Sequence, residues 1–196
     1  MLDLFLQSLL IGALVTVPLG PTTVLVLQRS LSLGPSNALT FGLGCVVADG
    51  VYAALAAFAL PWMQNLIGDA GHLPIVGALV LVALGALLLW LPVPKLGGPV
   101  PPRNLLRALV AGFGLTIVNP GGLLGFTAGF GSLDATSAVP LFLGGVAGLA
   151  LVWLAKALLP RLLRHRVTDR LLHTISRFSG WALIGAGLAL FVWRLM

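Results

Sequence analysis

Charge is what this chain has least of. Only 8% of its 196 residues are charged, and the five acidic ones are all Asp, with no glutamate. A soluble domain is about 25% charged and about 45–50% apolar. This chain is 59% hydrophobic, with a mean hydropathy of +1.09. It has too few polar residues to cover a water-facing surface, and disorder is excluded because low hydrophobicity is its signature. Cysteine is nearly absent too. The one thiol, Cys45, lies in an apolar run, and one thiol makes no internal disulfide, no Cys-based metal cage and no dithiol relay. The N-terminus lacks a basic leader, and its apolar run is too long for a cleaved signal, so it reads as a retained first span.

What remains is an all-α integral membrane protein. A helical span takes roughly 20 apolar residues, and apolar windows predict six: Leu4–Gln28, Asn37–Leu60, Leu73–Leu91, Leu105–Phe130, Thr136–Leu159 and Ser179–Arg194. Such runs are too long for barrel strands, and in lipid every backbone group must be satisfied internally, so all six read as helices. They form a single transmembrane domain, 1–196. A first three-helix half (1–92) and a second (105–196) flank a cytoplasmic connector (93–104) within the Pro/Gly-rich stretch Pro92–Pro102.

The net charge of +6 would suggest nucleic acid in a soluble protein, but here the basic residues sit between spans. Arg29 follows span one. Lys95, Arg103 and Arg107 follow span three, and Lys156, Arg161, Arg164, Arg166, Arg170 and Arg177 follow span five. Ten of the 11 basic residues thus fall on one side, opposite Asp3, Asp69 and Asp134. The positive-inside rule puts that side in the cytoplasm and both termini outside. Lys156 and Arg29 are expected to snorkel at the cytoplasmic ends. Residues 164–178 fit either an amphipathic helix on the inner leaflet or a basic loop.

Three spans per half imply halves of opposite orientation, an inverted 3+3 repeat. A spacing of 100 aligns Gly12 with Gly112, Thr16 with Thr116, Gly44 with Gly144 and Gly85 with Gly185. Span one holds Pro18-Leu19-Gly20-Pro21-Thr22-Thr23 and span four Asn119-Pro120-Gly121-Gly122, so helices 1 and 4 are expected to break there. Asn119 reads as the N-cap and Pro120 as the first residue of a second half-helix. Two half-helix N-termini could face one point near the midplane and hold a carboxylate. Each break alone is equally a packing kink, its freed groups satisfied by Thr22, Thr23 or Thr116. Small residues at Ser8, Gly12, Thr16 and Gly20 let backbones approach. Whether they do so within one chain or in a homodimer stays open.

Asp49, in Cys45-Val46-Val47-Ala48-Asp49-Gly50-Val51-Tyr52, sits near the middle of span two with no basic residue expected at its depth. A carboxylate there costs at least about 2.5–3.5 kcal/mol. It can carry a proton or bind an ammonium group, or else be a neutral packing contact. The candidate substrate and proton site is therefore Asp49 and Tyr52 with Gly20, Pro21, Thr22 and Thr23 at the first break, and Thr116, Asn119, Pro120 and Gly121 at the second.

Gly20-Pro21, then Arg29 and Gly34, then Gly42, Gly44 and Asp49, then Asn119-Pro120 together resemble the LysE superfamily of bacterial exporters, which includes the RhtB-type amino-acid exporters. The resemblance covers essentially the whole chain. It implies a bacterial cytoplasmic-membrane antiporter, not an enzyme, that exports amino acids or related small solutes on proton-motive force. No cofactor is implied, and the partners are a small-molecule substrate and lipid. It makes Asp49 the intramembrane acid and the two proline motifs the helix breaks. One departure is that Gly121-Gly122 follow Asn-Pro where many members carry a basic residue. The alternative is a divalent-metal exporter on the same scaffold, for which Cys45, one turn from Asp49, is the only added ligand at depth. A membrane protease built on Ser132 and His173 is rejected, because the topology puts them on opposite sides.

Overall fold

The computed structural model describes residues 1–17, 21–59, 73–90, 104–131, 133, 137–162 and 168–195. Among these residues there is no strand, and eight α-helices follow in order. They are α1 (Leu2–Thr16), α2 (Pro21–Ser32), α3 (Pro35–Ala54, extended by a π-helical turn Leu55–Ala59), α4 (Leu73–Trp90), α5 (Leu105–Ile117), α6 (Pro120–Gly131), α7 (Ala138–Leu162) and α8 (Asp169–Leu195). Two are long and apolar enough to cross a membrane, at Pro35–Ala59 and Ala138–Pro160. The pair α5 and α6, bent by 60° at its break, makes a third if taken as one span.

The outward faces are apolar. Leu6, Leu10 and Leu14 on α1, and Leu43, Val47, Val51 and Leu55 on α3, repeat every four residues and are all exposed. Stripes of that size would aggregate in water; in hydrocarbon they cost nothing. The opposite face of α1 carries Ser8, Gly12 and Thr16, all buried against α7. Close approach explains the small residues: a Cβ at Gly12 would collide with the Gly145 carbonyl, and one at Gly148 with that of Leu9. Ser8 Oγ donates to Pro140 O at 3.1 Å across this contact. These three residues of the stripe therefore pack within the chain.

The α3–α5 contact is built the same way. A Cβ at Gly44 would strike the Leu109 carbonyl, and one at Gly112 the Phe41 carbonyl; Cys45 Sγ donates to Gly112 O at 3.5 Å. So Gly12 meets Gly145, while Gly112, a hundred positions on, meets Phe41 and Cys45. The third close pair is α4 with α8, where Gly85 fits against Gly180 and Gly187 against Ala78.

Three sequence expectations change. The last helix begins at Asp169, not Ser179, so residues 169–178 are neither a separate surface helix nor a loop but the first turns of α8. Only Gly180 could weaken the junction, by about 1 kcal/mol, and it is spent on the contact with α4. Lys156 and Arg29 do not snorkel. Arg29 is 3% exposed and bonds Asn37, and Lys156 is half-buried and bonds Thr16 and Thr23. Pro18, Leu19, Gly20, Ser132, His72, His165, Asp69, Asp134, the connector up to Arg103, and residues 163–167 lie outside the described residues.

Candidate functional site

At both expected breaks a backbone carbonyl accepts from the side chain of a distant helix. Helix α1 ends at Thr16 and α2 starts at Pro21; α5 ends at Ile117 and α6 starts at Pro120. The last carbonyls of a helix need outside donors, and inside a membrane they cannot take them from bulk water. Each break receives one from a long helix far away in the chain. Lys156 Nζ, from α7, donates to Thr16 O and also to Thr23 Oγ1, at 2.8 Å. The Tyr52 hydroxyl, from α3, donates to Ile117 O. An ammonium at a helix C-terminus also complements the dipole there.

Between these two donors stands Asp49. It is 7% exposed, and its Oδ2 accepts from Trp153 Nε1 at 2.9 Å. Trp153 and Lys156 lie three apart on α7 and so share a face. The Lys156 ammonium sits 4.8 Å from the Trp153 ring centroid, within cation–π range. The other carboxyl oxygen faces α6, where a Cβ added at Gly122 would lie 3.0 Å from Asp49 Oδ1 and 2.9 Å from Tyr52 Cδ2. Glycine at 122 therefore lets the first turn of α6, a positive dipole end, come against the acid. One continuous contact chain links the breaks: Thr16, Lys156, Trp153, Asp49, Gly122, Tyr52, Ile117.

The other candidate residues divide. Asn119 is exposed, and its Oδ1 accepts from Gly121 N at 3.1 Å, an N-cap bond on α6. Pro120 is the first residue of α6, and Pro21 holds the same place in α2. Thr23 is buried beside Lys156, and Thr22 is half-buried. Thr116 is buried, and its Oγ1 makes no hydrogen bond. Gly20 lies outside the described residues. Among the described residues no three His, Cys, Asp or Glu come together as a metal site would require.

Sequence reasoning missed Trp153, Lys156 and Gly122. Lys156 was counted with the basic residues after span five, although it stands inside an apolar run three residues from a tryptophan. That spacing was the available signal. Gly122 gave none, because only the tertiary approach of α6 to α3 shows why a Cβ is excluded.

No family model matches the chain, and no solved structure matches it. Among curated proteins the chain is 22% identical over 200 aligned residues to "Putative amino acid efflux protein YcgF" of Bacillus subtilis (strain 168), spanning 95% of this chain and 94% of that protein. What this all-helical, apolar-surfaced membrane chain resembles from end to end is thus a protein named for amino-acid efflux.

Proposed function

We propose that this chain is a secondary transporter, not an enzyme, that exports amino acids or related small solutes across a bacterial cytoplasmic membrane in exchange for protons carried by Asp49. The observation that carries the reading is the placement of one buried carboxyl between two helix breaks, hydrogen-bonded to Trp153 and one contact from Lys156. A proton on Asp49 weakens its attraction for the ammonium two groups away and changes what the Trp153 N–H can bond. Protonation thereby biases the packing of α3 against α7, which is the kind of two-state element that alternating access needs. The polar backbone ends at the breaks suit a zwitterion, whose carboxylate and ammonium need opposite dipole ends.

The exchange of glycine contacts, Gly12 on Gly145 and Gly112 on Cys45 and Phe41, supports a six-span inverted repeat, and the end-to-end likeness to a protein named for amino-acid efflux supports an exporter of the LysE superfamily. The basic residues support a cytoplasmic placement for the loops after spans one, three and five. Lipid covers the leucine faces, and a homodimer would use them.

Inside-out vesicles carrying the full chain are screened with amino acids and divalent cations, reading solute uptake and proton release. Amino-acid-dependent proton flux that is lost in Asp49→Asn supports the proposal. Intact flux in that variant overturns the role of Asp49, and movement of divalent ions alone replaces the substrate class with a metal.

A further inference from the structure

A second polar pair lies away from Asp49, where α2 turns into α3 through Gly34, whose φ is 93°. Arg29, in the last turn of α2, is 3% exposed, and Asn37, in the first turn of α3, is fully buried. Arg29 Nη1 donates to Asn37 Oδ1 at 2.8 Å, and the guanidinium carbon sits 4.9 Å from the Phe41 ring centroid. Two donors of the pair are not met: neither Arg29 Nε nor Asn37 Nδ2 has a hydrogen-bond partner. Among the described residues no carboxylate pairs with Arg29.

Buried polar groups are almost always satisfied, and buried charges are almost always paired. A bond made only to join α2 to α3 would not require a permanent cation, nor leave two donors over. What the pair offers is donors only: the Nε edge of a guanidinium, an amide N–H and the N-terminal end of a 20-residue helix. We propose that Arg29 and Asn37 form an anion site for a small oxyanion, bound by the Nε edge of Arg29 and the Nδ2 of Asn37. Two sources carry that chemistry, a solute carboxylate and the phosphate of a lipid headgroup. Both donors are sealed from the surface here, so occupation requires α2 and α3 to part at the Gly34 turn. The site is distinct from the Asp49 chain, and its test needs no transport, so it stands or falls apart from the exporter reading.

The purified full chain in maltoside micelles, free of phosphate, is titrated with sodium acetate at constant ionic strength, following Tm. In a second arm phosphatidylglycerol is titrated into the same micelles and no acetate is added. A saturable rise on the order of 5 °C is expected at hundredfold saturation. A rise with acetate assigns the site to a carboxylate; a rise with phosphatidylglycerol alone assigns it to a headgroup phosphate. Asn37→Asp keeps the acceptor for Nη1 and supplies an internal anion, so it should abolish either response. Arg29→Lys keeps the charge but loses the fork, and should raise the half-saturating concentration at least about tenfold. No saturable rise in either arm, or an undiminished one in Asn37→Asp, overturns the proposal.

Discussion

Trp153 holds Asp49 by a single buried hydrogen bond, Nε1 to Oδ2 at 2.9 Å, and the same indole lies against the Lys156 ammonium. The acid is thus tied to the α1 break through one aromatic ring. The Asp49 carboxyl and the Lys156 ammonium both touch the Trp153 indole, so each responds to the other's charge.

Trp153→Phe keeps an aromatic face for Lys156 but removes the donor to Asp49. A hydrogen bond to a charged group contributes about 1.5–3 kcal/mol, so the variant should lose Tm and most coupled flux. The sharper measurement is a double-mutant cycle with Asp49→Asn. If both residues act through one bond, the double variant is no worse than the poorer single one. Additive losses would mean that the two act separately.

Gly122→Ala tests the approach of α6 to the acid. The new Cβ would lie 3.0 Å from Asp49 Oδ1 and 2.9 Å from Tyr52 Cδ2. Overpacking of this kind costs about 1–3 kcal/mol, and transport should fall at least about tenfold while membrane expression persists. Gly50→Ala is the control. Its Cβ meets only Val146 Cγ2, at 4.0 Å, and efflux should stay near wild type although the residue adjoins Asp49.

Lys156→Met keeps the length of the side chain and removes the ammonium. Thr16 O and Thr23 Oγ1 both lose this donor. The expected outcome is a loss of about 1.5–3 kcal/mol in detergent unfolding, with efflux abolished. Thr23→Val removes one acceptor and leaves the carbonyl contact, so it should cost about 1 kcal/mol. A Lys156→Met protein as stable as wild type would mean that the ammonium is held at the membrane surface after all.

The membrane class and the helix breaks were legible because they rest on local chemistry: long apolar runs, and proline that cannot continue a helix. Asn119-Pro120 announces its cap within two residues. Asp49 was legible through scarcity, as an acid with no place in an apolar run. Lys156 was not, because a lysine near a span end reads the same whether it turns outward to water or inward to a carbonyl. The choice depends on where Thr16 ends its helix, 140 residues away in the chain. The Arg29–Asn37 bond is of the same kind, set by how tightly α2 folds back on α3.

The two glycine interfaces give the last test. Gly12 on α1 and Gly112 on α5 are a hundred positions apart, and at either one a Cβ would fall on a backbone carbonyl of the facing helix, that of Gly145 or of Phe41. Backbone atoms cannot rotate away as a side-chain tip can, so Gly12→Ala and Gly112→Ala should each destabilise by about 3 kcal/mol, at the upper end of overpacking costs. Gly114→Ala, two residues along α5 with nothing within 4 Å of its Cβ, should be neutral or slightly stabilising. Thermal unfolding in detergent reads all three. If the halves are repeats that exchange equivalent contacts, the Gly12 and Gly112 penalties should agree within about 0.5 kcal/mol and add in the double variant. A large penalty at one position and none at the other would count against an equivalence of the halves.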